Sequence, residues 1–345
     1  TKNDHVSVVK KILSKVSTTL SSLTIIGNTG MTGLTCLSDV APGLIGKNLH
    51  NLKSLTLRKC PDLTRLEVCS TSLQNLELIH CENLRELPED LCRFQALRNL
   101  EMIGCPRIHS IPNSNLGQQS LLKSLEHLKI TDCNALASVD TEMLESCVAL
   151  KWLCLYDCPN LVSFPILESL QQMPSLVGAS FHNCPKLMTL PKGFGFLPSL
   201  RQVRIGPFST DDDHPSITKD NGFDWFGLIS SSTLRSLEVY GLSSHKESLP
   251  HQLQYMTTLT HLYLHHFGME ALPDWLGNLV SLQSLHLLGC KKLRYLPSMA
   301  AMRCLTKLNY LHVDGCPLLK ERCSPQSGPN SEWFKISQIP LLNIC

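Results

Sequence analysis

The segment Leu282-Gln-Ser-Leu-His-Leu-Leu-Gly-Cys290 is the unit that this chain repeats. Its leucines occupy the first, fourth and sixth places, and its cysteine occupies the ninth place. Seven other segments keep both the apolar places and the cysteine, and they begin at Leu52, Leu73, Leu97, Leu125, Leu150, Leu176 and Leu308. Four segments keep the apolar places without the cysteine, and they begin at Leu20, Leu200, Leu234 and Leu259. The twelve starts span 288 residues, or about 26 residues per repeat.

This period decides the fold class. Leucines at this spacing, repeated every 20 to 29 residues or so, are typical of leucine-rich repeats. Each such repeat stacks on its neighbours, so a chain of 345 residues can grow as one array without several separate cores. The sequence therefore predicts an α/β solenoid, a leucine-rich-repeat horseshoe of about 12 repeats. We expect a parallel β-sheet on its concave face and short helices or irregular turns on its convex face.

The array has distinct ends. Residues 1–19 predict an N-terminal helix that belongs to an incomplete first repeat, because their apolar residues recur at helical spacing. Residues 20–323 form the predicted solenoid, and residues 324–345 form a capping tail. Thr1 is not a natural start, so we expect the chain to be part of a longer protein.

One repeat, residues 200–233, is enlarged. Its surplus contains Asp211, Asp212 and Asp213, which lack the spacing of a calcium loop and are a weak candidate for a cation site. It also contains Trp225 between Phe223 and Phe226. We expect a solvated loop whose aromatic residues pack against the convex side.

Cysteine placement bears on the compartment. Of the 16 cysteines, eight occupy the ninth place of a repeat. There we expect a reduced, buried thiol that hydrogen-bonds to the turning backbone. The chain has no N-x-S/T sequon and no run of 18 apolar residues, and its net charge is +2. These features predict a soluble protein of a reducing, cytoplasmic compartment, with no membrane insertion and no affinity for nucleic acid.

The sequence lacks the familiar motifs for catalysis and for cofactor binding. Gly43-Leu-Ile-Gly-Lys47 lacks the spacing of a phosphate-binding loop, and no zinc-type cysteine pair occurs. We therefore expect no enzymatic activity and no cofactor in this chain. His286 and His312 fall at the same place in adjacent repeats, which leaves a histidine metal pair open as an alternative.

The surface of the sheet carries the functional signal. Side chains at the third, fifth and seventh places of each repeat should project from the sheet into solvent. In the second half of the array these places collect aromatic and histidine residues, which commonly anchor protein interfaces. The predicted partner-binding residues are Trp152, Tyr156, His182, Arg204, Glu238, Tyr240, His261, Tyr263, His265, His286, Tyr310 and His312. The alternative is that tyrosine and histidine simply suit strand positions.

The end of the chain resembles a known family. Cys316-Pro-Leu-Leu-Lys-Glu-Arg-Cys323 and Glu332-Trp-Phe-Lys-Ile-Ser-Gln-Ile-Pro340 are similar to the terminus of plant intracellular nucleotide-binding leucine-rich-repeat immune receptors of the coiled-coil class. Gln338 stands where that family commonly has histidine. Trp333, Ile336 and Ile339 would cover the open end of the last repeat, which every solenoid must close.

The resemblance implies the recognition and autoregulatory domain of a disease-resistance protein. Such a domain binds a pathogen effector, or a guarded host protein, and restrains the nucleotide-binding module of its own receptor. ATP or ADP would then bind only in that module, which is absent from this chain, and the isolated domain would be a monomer. Two alternatives remain at this stage: the substrate-receptor arm of a cytosolic ubiquitin ligase, and an extracellular receptor ectodomain.

Overall fold

The computed structural model describes most of the chain, namely residues 20–27, 34–36, 51–66, 68, 70–88, 94–111, 122–139, 143–144, 147–162, 173–187, 190, 193–207, 225–241, 249–328 and 331–345. The chain divides into two compact units, Thr1–Leu176 and Val177–Cys345. The predicted helix at 1–19, the segment 43–47 and the aspartates at 211–213 lie outside the described residues.

The first unit contains a sheet of six parallel strands in chain order, each paired with the next. The strands are β1 (Ser22–Ile26), β2 (Ser54–Arg58), β3 (Asn75–Ile79), β4 (Asn99–Ile103), β5 (His127–Thr131) and β6 (Trp152–Tyr156).

The second unit contains seven parallel strands, also in chain order. They are β7 (Gly178–His182), β8 (Gln202–Gly206), β9 (Ser236–Tyr240), β10 (His261–His265), β11 (Ser284–Leu288), β12 (Tyr310–Asp314) and β13 (Leu341–Ile344). Strands β1–β12 each cover the third to seventh places of one repeat, so the predicted parallel sheet of leucine-rich repeats is confirmed.

The repeated leucines form these strands because they alternate with polar residues and point to one side. In β2, Leu55 and Leu57 are fully buried, and Leu52 just before the strand is fully buried as well. The pairing register places Leu55 beside Leu76 and Leu57 beside Leu78, so equivalent leucines of successive repeats touch. Each buried leucine contributes roughly 1.5–3 kcal/mol to folding relative to an exposed one.

After nine of the strands β1–β12, the chain turns through a left-handed residue at the eighth place. Nine eighth-place residues have φ between 52° and 67°, and they are Lys59, His80, Gly104, Asp132, Asp157, Asn183, His266, Gly289 and Gly315. Glycine, asparagine and aspartate tolerate this conformation readily, whereas Lys59 and His80 adopt it at an energetic cost. The turn directs the backbone so that the ninth-place side chain faces inward.

The eight ninth-place cysteines are buried, and none forms a disulfide. Each thiol donates a hydrogen bond to the backbone carbonyl two residues earlier, over sulfur–oxygen distances of 3.2 to 3.9 Å. Four of them also reach the sixth-place carbonyl of the preceding repeat. The predicted structural role of these thiols is therefore confirmed.

Short helical segments follow several strands. The 3-10 helices are Phe194–Phe196, His251–Tyr255 and Asp274–Asn278, and the α-helices are α1 (Phe226–Ile229), α2 (Met299–Cys304), α3 (Pro317–Arg322) and α4 (Trp333–Ile336). Pro250 and Pro273 lie directly before two of the 3-10 helices. Trp225 of the enlarged repeat is 1% exposed, as expected for a packed side chain, whereas Phe223 lies outside the described residues. No helix within the described residues has the length and apolar character to cross a membrane.

The end of the chain adds a strand that the sequence did not predict, because β13 lacks the repeat pattern and yet pairs in parallel with β12. Ile336 is fully buried and Ile339 is 7% exposed. Glu332 is also buried, and its Oε2 accepts hydrogen bonds from the Leu296 amide at 2.9 Å and from Lys335 Nζ at 2.7 Å. Lys335 Nζ also donates to the Leu296 carbonyl at 3.3 Å, so the hydrogen bonds of Glu332 and Lys335 with the Leu296 backbone attach α4 to the repeat that begins at Leu282.

Candidate functional site

The side chains at the third, fifth and seventh places lie on the face of each sheet opposite the buried leucines. We call this face the first open face on β1–β6 and the second open face on β7–β12. Most of its residues are partly covered rather than fully exposed, because same-place side chains of adjacent strands lie against one another. Ile79, Ser180 and Ser284 are buried there, which corrects the expectation that every such place is solvated.

The second open face contains a cluster of four stacked or edge-on rings, which we call the C-terminal ring cluster: Tyr263, His286, Tyr310 and His312. The Tyr263 and His286 rings are stacked, with centroids 4.1 Å apart and planes 20° apart. The His286 ring meets Tyr310 and His312 edge-on, at 5.3 and 5.5 Å. The register explains these contacts, because His286 is paired with Tyr263 on one side and with His312 on the other.

A second series of rings follows the seventh place. The Tyr240 ring is stacked on His265 at 4.3 Å and meets His182 edge-on at 4.2 Å. Stacked and edge-to-face ring pairs each contribute about 0.5–1.5 kcal/mol beyond the area that they bury. The rings thus hold one another in place, and little side-chain entropy remains to be lost when a partner binds.

Glu238 lies between the two ring series and collects several donors. Its Oε2 is 2.7 Å from Arg204 Nε, and its Oε1 accepts a hydrogen bond from the Tyr240 hydroxyl. His265 Nε2 lies 2.8 Å from Oε1, a contact that becomes an ion pair when the ring is protonated but lacks the geometry of a direct hydrogen bond. The Glu238 side chain is only 13% exposed, whereas the Arg204 side chain is 44% exposed.

The environment of Glu238 keeps it ionised. Burial raises its pKa, but the contacts from His265 and Tyr240 and the charge of Arg204 together outweigh burial and lower the pKa to about 2. The same carboxylate raises the pKa of the neighbouring Tyr263 hydroxyl, on which burial is the larger influence. This part of the face therefore holds one permanent negative charge and one permanent positive charge.

His286 is held neutral. Burial is the main cause that lowers its pKa to about 4, and the nearby His312, His261 and His265 add to the effect. Its Nε2 lies 2.7 Å from the hydroxyl of Ser284, which is 5% exposed. Ser284 was not among the predicted site residues, although it lies two places before His286 on the same face and could have been found by strand alternation.

The structure distributes the predicted site residues over both units. Trp152 and Tyr156 lie on β6 in the first unit. The other ten predicted residues lie in the second unit, and nine of them take part in the ring and carboxylate contacts above. His261 differs, since its Nδ1 lies 2.9 Å from the Thr260 hydroxyl. Partner binding by these residues remains a prediction.

The first open face has a different chemistry. On β2–β5 its side-chain contacts join polar and charged groups: the Thr56 hydroxyl donates to Glu77 at 3.1 Å, and the Asn99 amide donates to Asn75. Lys129 forms an ion pair of 2.6 Å with Glu101. These groups satisfy one another across adjacent strands.

Metal binding finds no support in the part of the chain that the structure describes. No group of three or more histidine, cysteine or acidic side chains there has a metal-binding arrangement. The edge-on contact between their rings accounts for the proximity of His286 and His312. The Nε2 atom of His286 already faces the Ser284 hydroxyl.

Comparison with known proteins places this repeat array in context. Residues 228–316 match the family model described as R13L1/DRL21 leucine-rich repeats. The chain is 30% identical over 177 residues to the TMV resistance protein N of Nicotiana glutinosa, covering 47% of this chain and 15% of that protein. It is 26% identical over 229 residues to the disease resistance protein RPS4B of Arabidopsis thaliana, covering 61% of this chain and 18% of that protein.

Solved structures are also similar. The leucine-rich-repeat domain of the type III effector XopL is 19% identical, with a TM-score of 0.43, and the match covers 89% of this chain and 82% of that one. The chain spans less than a fifth of the two resistance proteins. The repeats, the family model and the resistance-protein relatives agree with the resemblance of the terminal motif. The chain is thus a leucine-rich-repeat domain whose repeats are similar to those of plant disease-resistance proteins.

Proposed function

We propose that this domain recognises a protein partner through the second open face, and that the partner is a pathogen effector or a guarded host protein. The observation that supports the proposal is the C-terminal ring cluster, whose four rings are partly exposed and fixed by mutual stacking. Aromatic side chains that are already ordered provide contact area at a low entropy cost, which is the usual property of interface anchors.

The same proposal includes an autoregulatory role. In the full-length receptor, the domain would restrain the nucleotide-binding module until the partner binds. ATP or ADP would bind to that module and not to this chain. The support for this part is the similarity to plant resistance proteins, of which this chain matches only a small share.

The experiment compares two double variants in the full-length receptor. Tyr263→Ala with His286→Ala removes the stacked pair of the second open face. Thr56→Ala with Glu77→Ala removes a bonded pair of the first open face, and it serves as the matched control. Both receptors are expressed in leaves with candidate effectors, and pull-down and cell death are scored.

We expect the ring variant to lose at least about ten-fold in partner affinity and to abolish effector-triggered cell death, because truncating an interface anchor costs roughly 2 kcal/mol or more. The control variant should bind and signal normally. If the ring variant accumulates as a folded protein and still binds the partner undiminished, the proposed surface is wrong.

A further inference from the structure

The C-terminal ring cluster lies beside two carboxylates with different surroundings. Glu238 is paired in register with Tyr263, and its charge is balanced by Arg204 at 2.7 Å. Asp314 lies two residues after His312 on the same face of β12, and it is exposed. Its side chain forms no ion pair with any residue that the structure describes. The second open face therefore carries an unbalanced negative charge at the edge of an aromatic cluster.

His312 and Tyr310 lie two and four residues before Asp314 on the same face of β12, and both rings have edges and π faces that are partly open to solvent. Tyr310 and His312 are partly exposed, and their rings are tilted by 35° with centroids 6.2 Å apart. Neither ring has another ring stacked on it face to face among the described residues. A cation near an aromatic face gains about 0.5–2 kcal/mol, and a charge-assisted hydrogen bond to a carboxylate adds to this.

The charges on this part of the face argue against an anionic anchor. Arg204 is already engaged with Glu238, and an incoming carboxylate would be repelled by Asp314, which forms no ion pair with the residues that the structure describes. His286 is held neutral by burial and by its histidine neighbours, and it adds no positive charge near pH 7. A cationic planar group, in contrast, would be attracted both by the rings and by the Asp314 carboxylate.

We infer that the anchor which a partner inserts at this place is an arginine side chain. Its flat guanidinium can stack on an aromatic face and donate to a carboxylate at the same time, whereas the ammonium of lysine is a compact point charge. The inference rests on the proposed function, since it specifies which chemistry the second open face recognises.

The test uses the full chain and three acetylated, amidated pentapeptides, Gly-Ser-Xaa-Ser-Gly, in which Xaa is arginine, citrulline or glutamate. Citrulline keeps the shape of arginine and removes its charge. Binding is followed by NMR of histidine side chains labelled at Cε1, with signals assigned from single histidine variants. The protein variants are Asp314→Asn and, as a matched control, Glu270→Gln, which removes an exposed carboxylate outside the open face.

We expect the arginine peptide to shift the His312 and His286 signals saturably in the millimolar range, and the citrulline peptide to bind about five-fold more weakly. Asp314→Asn should weaken binding of the arginine peptide about five-fold, whereas Glu270→Gln should leave this binding unchanged. Equal binding of arginine and citrulline, no shift with any peptide, or full binding by Asp314→Asn would overturn the inference. The proposed function would survive each of these results if the Tyr263→Ala, His286→Ala receptor still loses its partner.

Discussion

The two open faces of this chain are built on the same repeated leucines and differ in their chemistry. In both units the leucines of each strand are buried in the same register, and the ninth-place thiols bond to the same carbonyls. The first open face displays hydroxyl, amide and ion pairs on β2–β5, whereas the second displays stacked rings around a half-buried carboxylate. The difference shows that the repeat determines the fold and the variable places determine what the surface can bind.

The largest expected effect tests whether the buried leucines stabilise both units to the same extent. Leu76→Ala in the first unit and Leu285→Ala in the second each remove a fully buried fourth-place leucine. Each should lower the free energy of unfolding by about 3 kcal/mol, since the lost burial adds to the cost of the cavity. Urea denaturation followed by circular dichroism measures both. If the two losses differ by more than about 2 kcal/mol, the buried leucines do not stabilise the two units equally.

The next comparison concerns two fifth-place carboxylates that each face a cation on a neighbouring strand. Glu101 pairs with Lys129 and is 29% exposed, whereas Glu238 pairs with Arg204, accepts from Tyr240 and is 13% exposed. Glu238→Gln should cost about 2 kcal/mol of stability because it leaves polar groups unpaired in a half-buried site. Glu101→Gln should cost about 0.5 kcal/mol or less, as exposed ion pairs do.

The lowered pKa of Glu238 also predicts how acid affects the stability of the protein. The folded-state pKa of Glu238, about 2, lies below the unfolded value of about 4.3, so its contribution is complete above pH 4.3 and is lost as the pH falls towards 2. The Glu238→Gln variant should therefore lose less stability than the wild type over this range. A parallel fall in both proteins would contradict the assignment.

A smaller effect is expected from His286, whose folded-state pKa is about 4. The unfolded chain takes up the proton first, near pH 6.5, so stability should decrease as the pH falls from 6.5 to 4. His286→Gln should reduce that decrease by about 1 kcal/mol, after allowance for solvent screening of the partly exposed ring. His251→Gln, which removes an exposed histidine outside the open face, is the control. Identical pH profiles for wild type and His286→Gln would contradict the prediction.

Much of this architecture followed from the sequence because leucine spacing and strand alternation are local patterns. The repeats that begin at Leu20 to Leu308 predicted the positions of β1–β12. Strand alternation predicted that Tyr263, His286 and His312 share one face of the sheet. Because the strands pair in parallel and in register, residues at the same place in successive repeats lie next to one another.

Other features were not predictable from local patterns. Strand β13 has no repeat leucines, and only the edge of β12 gives it a pairing partner. The burial of Ser180 and Ser284 depends on the size of the side chains around them. The network of Glu238 depends on the side-chain conformations of Arg204, Tyr240 and His265, which no spacing rule specifies.

The central claim is that recognition occurs on the second open face and not on the first. Diethyl pyrocarbonate modifies accessible histidines, and the chain offers reporters on both faces: His261 and His312 on the second, and His127 on the first. Labelling is measured by mass spectrometry on the full-length receptor, with and without its effector, at constant pH. We expect the effector to reduce modification of His261 and His312 several-fold and to leave His127 unchanged. Protection of His127 with no protection of His261 and His312 would contradict this expectation.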